Sequence, residues 1–294
     1  MGKIEEDLIR QMAEQREKSA AKEADGKAHS WKGKLGIIGV IFFLGWKFKA
    51  ILIIVLAKMK FLLLGVKFLG IGKIFISGGS MLLSIAVYAV QWGFPYALGF
   101  VVLIFIHEAG HVLALKRYNI NASMPIFIPF VGAFVALREM PKNVRIEAIV
   151  AIAGPVLGTL GAFACHGIYM VTGKPLYLSL AFVGYMINLF NLMPILPLDG
   201  GRVIGALSPK LWLIGILVCI FFLIYHPNLI LIVLVVLSLP RLFTVFRQTP
   251  EEADYYSVPS EQRFIFAVLY FGLAALLGVL SMQSHEALKV YLVS

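Results

Sequence analysis

Two histidines flank a glutamate in the short sequence His107-Glu108-Ala109-Gly110-His111. On a helix, residues four positions apart lie on the same face, so the imidazoles of His107 and His111 can bind one metal ion together. Glu108 lies beside them and can accept a proton from water at that metal. The spacing therefore predicts a hydrolytic site that binds a single Zn²⁺ ion through the two histidines, with Glu108 as its base.

A catalytic zinc ion has three protein ligands and an open position, so a third ligand must come from another part of the chain. Asp199 is the candidate, because no other acidic residue occurs between residues 148 and 250. In the segment 191–202, two prolines and two glycines interrupt an apolar span and free backbone groups that hydrocarbon cannot satisfy. We expect this segment to line a wet cavity, with Asp199 as the third ligand. A helix cap at the membrane interface is the alternative role of Asp199.

Two asparagines lie on the span that enters the interrupted segment. Asn191 precedes Asp199 by eight residues, so its amide can face the metal and donate to an oxyanion that develops there. We therefore predict a catalytic role for Asn191, and the capping of freed carbonyls is its alternative role. Asn188 lies one helical turn earlier and is expected to form a hydrogen bond between helices.

The segment 124–135 is apolar but is a poor helix former. It contains two prolines and a glycine, and its other residues are largely β-branched or aromatic. An extended, re-entrant pair of strands beside the zinc ion would offer an edge to which an unwound substrate can add as a further strand. The alternative is a loop at the membrane interface that only connects two spans.

Three glycines and two glutamates near these motifs receive structural interpretations. Gly154, Gly158 and Gly161 place small residues along one helix face, which favours close packing against a neighbouring helix. Glu139 and Glu147 lie among basic residues in a predicted cytosolic loop, and we interpret both as solvated charges.

The elements that must position these residues are membrane helices. Of the 294 residues, 60% are hydrophobic and only 14% are charged, against about 25% charged residues in soluble domains. Apolar runs long enough for helical spans of about 20 residues recur from Ile74 nearly to the C-terminus. The composition therefore excludes a soluble protein and predicts an all-α polytopic membrane protein, with about seven transmembrane helices and a small re-entrant β-strand segment near the active site. The predicted spans are 74–92, 95–117, 144–170, 176–194, 211–226, 228–246 and 264–282.

The basic residues predict the orientation of these spans. The formal charge of +10 is spread over the loops without forming a basic face, so no nucleic-acid partner is expected. If Lys73 is cytosolic, alternation of the spans places ten of the Lys and Arg residues after it inside and two outside. We therefore expect an integral, multi-pass protein of the plasma (inner) membrane, with the N-terminus and the opening of the active site toward the cytosol.

Charge and apolar patterning divide the chain into four regions. The first is mixed in charge, and the second is apolar but punctuated by lysines, which leaves runs too short for ordinary spans. The regions are a charged cytosolic tail at 1–34, interfacial helices or a shallow hairpin at 35–73, a catalytic transmembrane core at 74–202, and additional transmembrane helices at 203–294 with a cytosolic loop at 247–263.

The motif from His107 to His111 and the motif from Asn191 to Arg202 together resemble the site-2 protease family of intramembrane zinc metalloproteases. The resemblance covers roughly residues 74–202. It implies metal ligation by His107, His111 and Asp199, base catalysis by Glu108, and stabilisation of the tetrahedral intermediate by Asn191.

The expected function is hydrolysis of a peptide bond in or near the transmembrane helix of a membrane-protein substrate. The purpose is either regulated intramembrane proteolysis or the clearance of membrane peptide remnants, and the expected partners are that helix and the lipid bilayer. The alternative is an ion-coupled transporter with a metal or proton site at His107, Glu108 and His111. It is disfavoured because the sequence shows no pair of inverted halves. A catalytically inactive scaffold is disfavoured because it has no use for a glutamate within an apolar membrane span, where Glu108 lies.

Overall fold

The computed structural model describes residues 72–137, 139–226, 228–246 and 249–293. The predicted tail 1–34 lies outside the described residues, and so does the predicted interfacial region 35–73 except for its last two residues. The described part of the chain is helical apart from one two-stranded sheet. The prediction of a mostly helical protein with a small β-strand segment is confirmed.

The helices follow one another along the described residues, and the two strands lie between the second and third helices. The helices are α1 (Gly72–Trp92), α2 (Phe94–Arg117), α3 (Val144–Thr172), α4 (Pro175–Asn191), α5 (Asp199–Leu207), α6 (Trp212–Tyr225), α7 (Leu229–Phe246), α8 (Pro250–Tyr255) and α9 (Ser260–Val293). The strands are β1 (Ile126–Ile128) and β2 (Gly132–Phe134), and a short 3-10 turn at Pro209–Leu211 leads into α6. Prolines occupy the first turns of α2, α4 and α8, where a helix leaves the backbone N–H unpaired in any case.

Four helices in the described part of the chain are long and apolar enough to cross a membrane. They contain the stretches Phe75–Trp92, Phe94–Arg117, Val144–Thr172 and Ser260–Tyr291. Each of the seven predicted spans coincides with a helix, but α4, α6 and α7 are shorter. The 17 residues of α4 extend about 26 Å, less than the roughly 30 Å of a hydrocarbon core. The predicted count of seven spans is therefore not confirmed.

Helix α3 is central to the fold, because it packs against α2, α4 and α5. It begins after Asn143, whose side chain accepts a hydrogen bond from the backbone N–H three residues later. It ends at Gly173, which adopts the left-handed conformation with φ of 65°. Helix α2 approaches it closely because Gly110 has no Cβ, and a Cβ there would collide with the carbonyl of Ala153.

The predicted interruption of a span lies between α4 and α5. Its glycines allow the chain to fold back on itself, because a Cβ at Gly200 would collide with the backbone of Leu192. Side chains from other helices satisfy carbonyls of this region. The Tyr270 hydroxyl donates to the Leu192 carbonyl, and the Trp212 indole N–H donates to the Gly201 carbonyl at 2.7 Å. The interruption is thus stabilised by protein groups, as its position in an apolar span requires.

The two strands form an antiparallel hairpin that is attached to α1. The paired residues are Ile126 with Phe134, Phe127 with Ala133, and Ile128 with Gly132. The hydroxyl of Ser77 donates to the carbonyl of Pro125 at 2.6 Å, and the N–H of Phe127 donates to the hydroxyl of Ser80 at 3.1 Å. Helix α1 therefore occupies the outer edge of β1. Within the described residues, the outer edge of β2 has no strand beside it.

Candidate metal centre

The three predicted metal ligands meet at one point, although two lie on α2 and the third is the first residue of α5. The Oδ2 atom of Asp199 is 3.2 Å from Nε2 of His107 and 3.2 Å from Nε2 of His111. The two Nε2 atoms are 3.2 Å from each other. His107 is only 4% exposed, so the group lies inside the protein. In the described residues these three side chains form a group that could hold a metal ion.

The outer nitrogens of both imidazoles are held by neighbouring helices. Nδ1 of His111 lies 2.8 Å from the carbonyl oxygen of Val150 on α3, and Nδ1 of His107 lies 2.8 Å from Oδ1 of Asn188 on α4. Both oxygens only accept hydrogen bonds, so each Nδ1 must carry the hydrogen. In the neutral imidazoles, each Nε2 therefore presents a lone pair to the carboxylate of Asp199.

Two lone pairs and a carboxylate oxygen thus converge without a hydrogen atom to share among them. Such an arrangement is repulsive unless a metal ion lies between the three atoms or a proton binds one of the nitrogens. Zinc bonds of 2.0 to 2.1 Å at tetrahedral angles would separate the ligand atoms by about 3.3 Å, close to the observed 3.2 Å. Two histidines and one carboxylate also form a ligand set of catalytic zinc sites. The residues present therefore fit zinc.

The glycine face of α3 makes room for this arrangement. A Cβ at Gly154 would collide with the imidazole of His111, and a Cβ at Gly158 would collide with the amide of Asn188. The close packing expected from these glycines is confirmed. Its contacts are more specific than expected, because the helix approaches a candidate ligand and the hydrogen-bond partner of a second ligand.

A cavity of about 720 Å³ opens beside the metal-binding group. Its lining includes Glu108, which is 8% exposed, and residues of β2. Asn191 also lines it, but its amide donates to the carbonyl of Ile187 at 3.1 Å in the preceding turn of its own helix. This contact corresponds to the alternative role of Asn191, the capping of a backbone carbonyl. The role of Asn191 at an oxyanion stays a prediction.

The interpretation of Glu147 as a solvated charge is wrong. This glutamate lies in the first turn of α3, and its carboxylate pairs with the guanidinium of Arg202 at 2.8 Å. It also accepts a hydrogen bond of 2.8 Å from the hydroxyl of Tyr255 on α8. Burial and the charge of Glu147 raise the pKa of the Tyr255 hydroxyl well above its usual value, so this hydroxyl stays a donor. The partners lie 55 and 108 positions away, so no local spacing predicts them.

Asn188 is the functional residue whose role the sequence did not reveal. The predicted hydrogen bond between helices is confirmed, but its partner is the candidate ligand His107. The available signal was an amide in an apolar helix, one turn before Asn191. The role of the Val150 carbonyl could not be predicted from the sequence, because any residue provides a backbone carbonyl.

Comparison with known proteins agrees with this geometry. Residues 95–178 match the model of Peptidase family M50, the site-2 protease family. A zinc metalloprotease of Methanocaldococcus jannaschii is 28% identical over 133 residues, which are 44% of this chain and 38% of that protein. The match therefore spans less than half of either chain. The resemblance to the site-2 protease family is confirmed, and together with the apolar helices these matches support a membrane metallopeptidase.

Proposed function

We propose that this protein is an intramembrane zinc metalloprotease of the site-2 type, which hydrolyses a peptide bond in or near the transmembrane segment of a membrane protein. The observation that carries the proposal is the convergence of His107, His111 and Asp199 at distances that suit zinc, beside a cavity lined by Glu108. The ion-coupled transporter is the weaker candidate, because the comparisons point to metallopeptidases.

The groups around the cavity have different roles in the proposed hydrolysis of a peptide bond. Zn²⁺ bound by the three ligands would polarise the scissile carbonyl and lower the pKa of water toward about 7. Glu108 accepts the proton of the attacking water and delivers it to the leaving amine, so no covalent intermediate with the protein is needed. Asn188 and the Val150 carbonyl keep both imidazoles in the orientation that directs Nε2 inward. The Asn191 amide reaches an oxyanion only after leaving the carbonyl of Ile187.

The free edge of β2 is the proposed docking site for an extended substrate. The N–H of Phe127 points outward to Ser80, so Phe127 and its partner Ala133 form a pair that shares no hydrogen bonds across the hairpin. The N–H and carbonyl of Ala133 therefore point away from β1. Because Ala133 lines the cavity, a substrate strand bonded to it would lie next to the metal-binding group.

The proposed setting is the plasma (inner) membrane, with the cavity open toward the cytosol. The charge bias that supports this orientation makes the region 116–145 cytosolic. Single cysteines in that region, in a chain without Cys165 and Cys219, should label only from the cytosolic side. Labelling from the opposite side would contradict the orientation and the release of products to the cytosol.

The test of the proposed function is cleavage of a reporter membrane protein by the purified full-length chain in detergent or liposomes. The expected result is zinc-dependent cleavage inside or next to the transmembrane segment of the reporter, located by mass spectrometry. A zinc-loaded chain that cleaves none of a broad panel of membrane segments, but moves ions across liposomes, would favour the transporter.

A further inference from the structure

The turn of the β-hairpin contains an aromatic residue in an unfavourable backbone conformation. Phe130 has φ of 65°, in the left-handed region that favours glycine and that a bulky side chain rarely adopts. Backbone strain of this kind persists where the surrounding structure enforces it, and it concentrates at functional sites. A glycine at this position would form the same turn without the strain.

The surrounding contacts hold Phe130 in place. Its N–H donates to the hydroxyl of Tyr88 at 2.7 Å, and its ring meets the Tyr88 ring edge-on with 5.4 Å between centroids. Tyr88 in turn meets Phe100 edge-on at 5.1 Å and stacks on Trp92 at 5.1 Å. Tyr88, Phe100 and Phe130 all line the cavity beside the metal-binding group, and we name these three residues the aromatic wall.

Burial does not account for the Phe130 side chain. Phe130 is 63% exposed, whereas Tyr88 behind it is 4% exposed. The hydrogen bond to Tyr88 uses the backbone of Phe130, so any residue except proline could make it. The strained position therefore presents an exposed aromatic ring to the cavity. The neighbouring lining at Ile104 and Val131 is also apolar, so the matching ligand is an apolar group.

We propose that the aromatic wall is the specificity pocket of the enzyme and that Phe130 selects a large apolar side chain in the substrate strand bound along β2. This inference rests on the proposed function and adds the class of residue that the site prefers near the cleaved bond. Phe130 contacts the substrate, whereas Tyr88 positions Phe130 through its hydroxyl and its ring.

The experiment compares two membrane peptides that differ only near the cleavage site, where one carries leucine or phenylalanine and the other alanine. The purified full-length parent is measured beside Phe130→Gly, which removes both the ring and the strain, and Phe130→Ala, which removes only the ring. The matched control is Phe264→Ala, which deletes the aromatic ring of a 70% exposed residue on α9, outside the cavity lining. Thermal unfolding and zinc content are recorded for every variant.

Phe130→Gly should unfold near the parental temperature, because the relieved strain offsets the lost ring contact with Tyr88, and it should keep its zinc. Its kcat/KM for the large-residue peptide should fall at least about ten-fold, with little change for the alanine peptide. Phe130→Ala should lose the same preference, and Phe264→Ala should keep it. The Glu108→Gln forms of the parent and of Phe130→Gly should show the same difference in peptide affinity without turnover.

If Phe130→Gly keeps the parental ratio of kcat/KM between the two peptides, the proposed specificity pocket is refuted. An equal loss of kcat/KM for both peptides would also overturn it, because the ring would then anchor the hairpin in lipid and would not select a substrate side chain. A parent that cleaves neither peptide would instead refute the proposed function, and the pocket with it.

Discussion

Asn188 provides a sharp test of how the proposed metal ligands are positioned. It is 2% exposed, its Oδ1 lies 2.8 Å from Nδ1 of His107, and its Nδ2 donates to the carbonyl of Gly184 at 2.7 Å. Asn188→Ala removes the acceptor from the buried Nδ1–H and leaves the imidazole free to rotate. We expect the variant to bind zinc more weakly, although it changes no ligand.

Two estimates of the size of this effect agree. A buried donor without a partner costs about 1 to 3 kcal/mol. Loss of a hydrogen-bond partner behind a metal-binding histidine typically weakens metal affinity by about 10-fold to 100-fold, which equals roughly 1.4 to 2.7 kcal/mol. Water that enters the space beside Gly158 would restore part of the hydrogen bond and set the lower end of this range.

The assay is competition for zinc between a chelator of known affinity and the purified full-length protein. Thr159→Val is the matched control, because it also removes a buried hydrogen-bonding side chain, one that donates to the carbonyl of Pro155. Asn188→Asp keeps an acceptor opposite Nδ1 and should retain more affinity than Asn188→Ala. Parental affinity in Asn188→Ala, or an equal loss in Thr159→Val, would refute the role of Asn188 in holding His107.

Three further variants separate base, ligand and structural roles. Glu108→Gln should keep the zinc content of the parent but cleave a reporter about 10²-fold to 10⁴-fold more slowly, because an amide cannot take up the proton. Parental cleavage by a zinc-loaded Glu108→Gln would remove this residue from the mechanism. Asp199→Asn should lose zinc faster to a chelator and lose cleavage, because a neutral amide is a poor ligand; parental affinity would place the third ligand elsewhere. Tyr255→Phe removes the hydrogen bond to the partly buried carboxylate of Glu147 and should lower the free energy of unfolding on the order of 1 kcal/mol, without changing zinc affinity. An unchanged unfolding curve would show that this bond contributes nothing to stability.

The parts of the site that the sequence predicted depend on local spacing. His107 and His111 share a helix face because they are four residues apart, and that geometry holds wherever the helix packs. The hairpin was predictable because prolines and β-branched residues exclude a helix over a short stretch. Asp199 was identified by elimination, since no other acidic residue occurs between 148 and 250.

The remaining features depend on tertiary packing, which no local pattern encodes. The pairing of Glu147 with Arg202 joins residues 55 positions apart, and their charges resemble those of an ordinary loop. The number of spans that cross the membrane is not settled by composition for a related reason. A short apolar helix such as α4 has the composition of a span, but only the structure shows its length and its packing between α3 and α9.

Helix α3 contacts the groups that hold all three proposed ligands in place. Helix α3 supplies the Val150 carbonyl to His111, and the absence of a side chain at Gly158 makes room for Asn188, the partner of His107. It also supplies Glu147, whose pairing with Arg202 ties α5 to α3 three residues after Asp199.

Asp199, the proposed third ligand, is joined to the histidines by no sequence spacing, so its distance from them is set by how α5 packs against its neighbours. A shift of α3 along its axis would move the Val150 carbonyl that holds His111 and the Glu147 carboxylate that holds α5, but not Asn188 on α4, so the 3.2 Å separations depend on the packing of both helices. A shift of α5 alone would not preserve them, because only Asp199 would move. The Arg202 to Glu147 pair therefore opposes a displacement of α5 that would carry Asp199 away from the histidines.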